Sequence, residues 1–177
     1  MRKFNLQLFA AEAVQGKNIV YLFRILKNAA SKNAVAMAFT TENERSKSKD
    51  SETTVTKDGG VVTPGAVEQE ISATAILAKG DSLADELEDA LDDGEIIEIW
   101  EANLSEPIAE STDQFKGRYY QAYLTEFTLT SSAEEHAEYE CTFAVNGSGA
   151  KGNVTVSAAQ QEAAAYVFAD TTVKTGA

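Results

Sequence analysis

Thr53-Thr-Val-Thr-Lys-Asp-Gly-Gly-Val-Val-Thr63 is the stretch on which the reading of this chain turns. β-Branched residues flank Asp58-Gly59-Gly60, and Asp-Gly supplies the positive φ angles that a tight hairpin turn demands. Ahead of it runs Thr41-Glu-Asn-Glu-Arg-Ser-Lys-Ser-Lys-Asp50, polar and charged throughout, with nothing to bury. A solvated excursion over 41–63 that ends in a well-specified hairpin predicts an arm reaching toward a neighbouring chain.

Outward from the hairpin, strand patterns dominate. Lys17 to Leu26 sets Ile19, Tyr21, Phe23 and Ile25 against Val20, Leu22 and Leu26, so both faces are expected to be buried. Asn33 to Thr40 alternates Val35, Met37 and Phe39 with Ala34, Ala36 and Ala38, which predicts a further strand with its large groups inward. Val67 to Leu77 alternates apolar residues with Glu68, Glu70, Ser72 and Thr74, the pattern of a strand with one wet face. Ile96–Ala102, Tyr119–Leu129, Glu138–Val145 and Val154–Val156 complete the strand set. One helix is written between Ser82, read as its N-cap, and Gly94, with Leu83, Leu87 and Leu91 on one stripe. A second is expected from Ser157 to Val167, with Gln160 at the capping-box position. The expected fold is mainly β (α+β): two packed sheets, sandwich- or barrel-like, with a flanking helix, in a single domain. Residues 1–15 are expected to form an extended N-terminal arm, and 169–177 a C-terminal tail. In the arm, Asn5 and Gln7 interrupt the apolar residues Phe4, Leu6, Leu8 and Phe9, which suits a strand with one sticky face better than a secretory core.

Composition excludes most chemistry. The 177 residues are 44% hydrophobic, enough for one domain with a real core, and the net charge of −13 repels polyanions. No apolar run approaches the roughly 20 residues that span a bilayer. A Ser–His or Cys–His pair would have to use His136, which lies in a polar stretch without a nucleophile elbow. Cys141 alternates with Tyr139 and Phe143 and reads as core. One histidine and one cysteine cannot assemble a usual zinc site. Asp89 to Gly94 has an acid first and glycine sixth, as calcium loops do, but carries Leu91 where an oxygen ligand belongs and scans as helix. Gly147-Ser-Gly-Ala-Lys-Gly152 lacks the spacing of a phosphate loop. Neither a cofactor motif nor catalysis is expected.

The order of features resembles the major tail tube proteins of phages with long, non-contractile tails. Three motifs carry the resemblance. Phe4-Asn-Leu-Gln-Leu-Phe-Ala10 is similar to the leader of many phage structural proteins. Thr54-Val-Thr-Lys-Asp-Gly-Gly60 is similar to the lysine-aspartate-glycine turn of tail tube proteins. Val154 to Phe168 is similar to their C-terminal segment. The resemblance implies six-subunit rings that stack around a tape measure protein into a channel through which DNA leaves without being specifically bound. It further implies capping by tail terminator and distal tail or baseplate proteins, a place in the virion tail, assembly in the host cytoplasm, no membrane and no catalytic residue. Phe4, Leu6, Leu8, Phe9, Arg45, Lys47, Lys49, Val55, Lys57, Asp58 and Gly59 then become candidates for contacts between subunits. Glu68, Glu70, Glu138 and Glu140, on the polar faces of strands, become candidates for an acidic channel lining. A tail terminator, a head protein or a secreted β-sandwich binding domain are the rival readings.

Overall fold

The computed structural model describes residues 13–165, with side chains as far as Gln161. The sheet is built from β1 (Ile19–Ile25), β2 (Thr40–Thr56), β3 (Gly59–Ile76), β4 (Ile96–Pro107), β5 (Gln114–Thr130), β6 (Glu138–Val145) and β7 (Ala150–Thr155). Helix α1 (Ser82–Asp93) joins β3 to β4, and α2 (Ala158–Ala165) follows β7. All strand pairings are antiparallel, in the order β1-β4-β5-β6-β3-β2, with β7 on the same edge of β5 as β6.

The two expected layers are the two halves of one curled sheet. β1 and β6 lie three strand spacings apart, about 14 Å on a flat sheet, yet the rings of Phe23 and Phe143 stack with centroids 5.4 Å apart. On the concave side, Tyr21, Phe23, Ile25, Ile71, Ala73, Ala75, Ile97, Ile99, Tyr120, Leu124, Tyr139, Cys141 and Phe143 form the main core. Leu83, Ala84, Leu87 and Ala90 of α1 pack into it, which is where the leucine stripe placed them. Strand alternation accounts for a second, smaller cluster on the convex side. There Leu22, Ala102, Phe115, Val154 and Val156 meet Val20, Ala34, Ala36 and Trp100. Gly117 is required at this crossing, because a Cβ there would press into the Glu101 carbonyl oxygen and a methyl of Val154.

Local signals mostly behave as read. Gly94 closes α1 in the left-handed conformation, φ 66°. The N-cap, however, is Asp81, whose carboxylate accepts from the Leu83 N–H at 3.0 Å, so Ser82 is the first helical residue and not the cap. At α2 the capping box forms reciprocally: Gln160 Oε1 accepts from the Ser157 N–H at 3.0 Å, and Ser157 Oγ from the Gln160 N–H at 3.4 Å. Asn33–Thr40 is not a strand. Only Val35 bridges to β1, opposite Phe23, and Phe39 turns the chain with φ 49°. Met37 alone of the three large residues is buried, while Val35 and Phe39 are exposed. The polar run 41–50 is not a loop either. It belongs to β2, which pairs with β3 along nearly its whole length.

Candidate assembly interface

β3 is hydrogen-bonded to β6 only over Glu70–Ile76. Nearer the turn it has β2 alone, so the pair leaves the body as a two-stranded ribbon, exposed from Ser46 to the turn and back to Ala66. At ~3.4 Å per residue, the ribbon from Lys47 to the turn is about 30 Å long. Its tip is a two-residue turn, Lys57-Asp58, closed by the Thr56–Gly59 pair, with Thr56 Oγ1 donating to the Gly59 carbonyl at 2.6 Å. Positive φ falls on Gly59 (129°) and not on Asp58. Val55, Val61 and Val62 stand in solvent beside the turn, Val55 with 85% of its surface exposed.

An ion pair holds the root of the ribbon. Arg45 shares its face with Ile71, its register partner, and so points into the concave side, where Nε meets Glu101 Oε2 at 2.7 Å. On a flat sheet β2 and β4 would be about 19 Å apart, so this contact exists only because the sheet curls. Glu101 Oε2 also accepts from Tyr21 at 3.1 Å and Tyr120 at 3.3 Å. Burial, and then the Glu101 charge, push the Tyr21 phenol well above its ordinary range, so it stays a donor. Arg45 is therefore committed inside its own subunit, which removes it from the exposed contact candidates. Sequence reading missed Glu101, because nothing local marks one glutamate on β4 as the partner of an arginine on β2.

The four acidic candidates do share one face. Glu68 and Glu70 on β3, and Glu138 and Glu140 on β6, have the phase opposite to the buried Ile71, Ala73, Tyr139 and Cys141, on the convex side. The registers add Glu42, Glu44, Ser46 and Ser48 from β2, and Glu126, Thr128 and Thr130 from β5. A bulge between Leu124 and Glu126 puts this last trio outward. The resulting four-strand face, β5-β6-β3-β2, carries glutamates and hydroxyls and no lysine or arginine. Among the described residues both of its edges are open: β2 has a strand on one side only, and β5 beyond Tyr123 has none on the side that β4 occupies earlier.

Lys47, Lys49, Val55, Lys57, Asp58 and Gly59 lie exposed on the ribbon. Phe4, Leu6, Leu8 and Phe9 lie outside the described residues. His136 is exposed, Asp89–Asp93 are helical, and Cys141 is buried, with desolvation and then Glu140 pushing its thiol up to about 12. Two depressions of about 300 and 480 Å³ beside α1 are lined around the Lys32–Glu86 ion pair. Among the described residues no helix is long and apolar enough to cross a membrane.

Known proteins share this curled antiparallel sheet with its projecting ribbon. The fold matches the SPP1 tail tube, solved by solid-state NMR and cryo-EM, with a TM-score of 0.69 at 20% identity over 93% of this chain and 95% of that one. It also matches a chain in the virion of a native gene transfer agent particle, with a TM-score of 0.60 at 15% identity over 79% of this chain and 99% of that one. A chain of the sheath–tube complex of an extracellular contractile injection system gives 0.54 at 11% identity over 88% and 100%. In sequence, a "Putative tail protein" of Staphylococcus phage phiMR25 is 36% identical over 157 residues, which span 86% of this chain and 80% of the relative. The family model described as "Phage tail tube protein" matches residues 13–151, and the chain belongs to that family. It is a structural component of phage tails and not an enzyme.

Proposed function

We propose that six copies close into a ring through the open edges of the β5-β6-β3-β2 layer, and that rings stack into the tail tube. The observation that carries this is directional. Four strands joined by three antiparallel steps leave the edge strands β2 and β5 running oppositely. When a copy is rotated about an axis along the strands, its β5 edge meets the first copy's β2 edge antiparallel, and repetition closes a barrel without exposed edges. The face without cations then lines the lumen. At physiological salt its repulsion reaches about 8 Å, so DNA is kept from adhering to the wall while it passes. The tape measure protein would fill this lumen before ejection, and tail terminator and distal tail proteins would cap the tube, assembled in the host cytoplasm.

Negative-stain microscopy of the purified protein tests the reading. Rings or tubes of uniform width are expected. Protein that stays monomeric, even beside the other tail proteins, would overturn it.

A further inference from the structure

The glutamates of the β5-β6-β3-β2 face are spaced by a rule. Among the described residues of this face, no carboxylate lies directly opposite another on a neighbouring strand. Glu42 and Glu140 both face Thr74, Glu140 also faces Thr128, Glu44 faces Ser72, and Glu126 faces Thr142. Glu68 faces Ser48, Glu70 lies between Ser46 and Ala144, and Glu138 lies between Ile76 and Thr130. Like charges directly opposite destabilise a strand pair, whereas a hydroxyl can donate to a carboxylate. Such donation occurs on this face: Thr41 Oγ1 donates to Glu138 Oε1 at 2.8 Å.

The open edges carry complementary halves of the same pattern. On this face β2 presents Glu42, Glu44 and Ser46 in chain order, and β5, read against its chain direction, presents Thr130, Thr128 and Glu126. Laid antiparallel, carboxylate–carboxylate–hydroxyl meets hydroxyl–hydroxyl–carboxylate. Slips from this alignment come in steps of two, because a slip of one turns the face over. A slip one way sets Glu44 against Glu126, and a further slip sets Glu42 against Glu126. The opposite slip faces Thr128 with Ser46 and carries Glu42 past Thr130, where the strand ends.

We propose that neighbouring copies join with Glu42 opposite Thr130, Glu44 opposite Thr128 and Ser46 opposite Glu126. This rests on the closed-ring reading and names the register of its seam. The same register supplies the stagger that closing a sheet into a barrel demands. Within one copy, the row through Glu44 runs Glu44–Ser72–Thr142–Glu126. A seam without stagger returns that row to Glu126 of the next copy, and there two carboxylates meet. The proposed seam returns it to Thr128. Charge spacing thus sets how far each copy is displaced along the strands against its neighbour.

Disulfide trapping in the full-length protein reads the seam. Positions 44 and 128 lie on opposite edges of the four-strand layer, about 14 Å apart across it, so a bridge between them joins two copies. Glu44→Cys with Thr128→Cys should give covalent ladders on oxidation, because antiparallel partners fall within the ~4.4–6.8 Å Cα separation that a disulfide spans. Cys141 is buried and stays out of the exchange. Glu44→Cys with Glu126→Cys, and Ser46→Cys with Thr128→Cys, report the neighbouring registers and should cross-link at least tenfold less. Charge gives a second readout. Glu44→Lys or Thr128→Lys alone should leave rings, whereas both together oppose two ammoniums across the seam and should cut the assembled mass at least tenfold. Inside one copy position 44 faces Ser72 and position 128 faces Glu140, so neither change opposes like charges within the fold. Unchanged circular dichroism and melting would show that the fold survives. The register falls if rings form but the first cysteine pair does not bridge them, if either neighbouring pair bridges as well, or if the doubly charged variant assembles like the wild type. Wild-type protein that forms no rings would instead sink the closed-ring reading itself.

Discussion

β3 holds two regions of the molecule in one strand, and they obey different rules. From Gln69 to Ala75 every second residue is buried, and Ile71 and Ala75 are sealed completely. From Gly59 to Ala66 no residue is buried, although the backbone pairing with β2 continues. The body is specified by side chains that leave water. The ribbon is held by its ladder of peptide hydrogen bonds and its turn, and a lone two-stranded ribbon is at best marginal in water. Its rigidity is lent by the body, through β6 on one side and the Arg45–Glu101 pair on the other. The lesson is that stability and assembly are kept apart along the chain, so one can be altered without the other.

The comparison is broken most severely inside the body. Phe143→Ala removes a ring stacked on Phe23 across the curl and should cost about 3–5 kcal/mol, read as a lower denaturation midpoint with rings and tubes lost together. At the boundary, Glu101→Gln leaves Arg45 partly buried without its counter-charge and should cost about 1–3 kcal/mol. Assembly should fall further than that loss of stability explains, because the ribbon root is released; light scattering against melting temperature separates the two. Outside the body, replacing Lys49–Val67 with an Asn-Gly turn between Ser48 and Glu68 should change stability by less than about 1 kcal/mol. Sedimentation should then show folded protein that no longer builds tubes. If this last variant unfolds, the ribbon belongs to the core and the distinction fails.

The same division explains what could be read without a structure. β1 is legible because it is apolar on both faces, and the second half of β3 and β6 because burial imposes alternation, with Tyr139, Cys141 and Phe143 where that alternation puts them. Helix α1 is legible from its stripe and its C-terminal glycine, although Asp81 takes the capping role assigned to Ser82, and the start of α2 from its capping box. The polar half of β2 is not legible as a strand, because with solvent on both faces nothing forces a period of two. Asn33–Thr40 has the period without the partner strand, so its alternation leads to a single bridge. The acidic face was visible in part. Glu68, Glu70, Glu138 and Glu140 follow from strand phase, whereas Glu126 joins them only through a bulge that spacing does not reveal. Arg45 was misplaced because its partner is non-local, brought near by the curl.

β5 has one more consequence. Its first half is hydrogen-bonded to β4 and β7, and its second half to β6. The outer half of each subunit and the wall of the proposed conduit are therefore a single span of covalent chain. Axial pull or internal pressure has no cleavage plane between them, and a tail under load should part between subunits before any subunit splits.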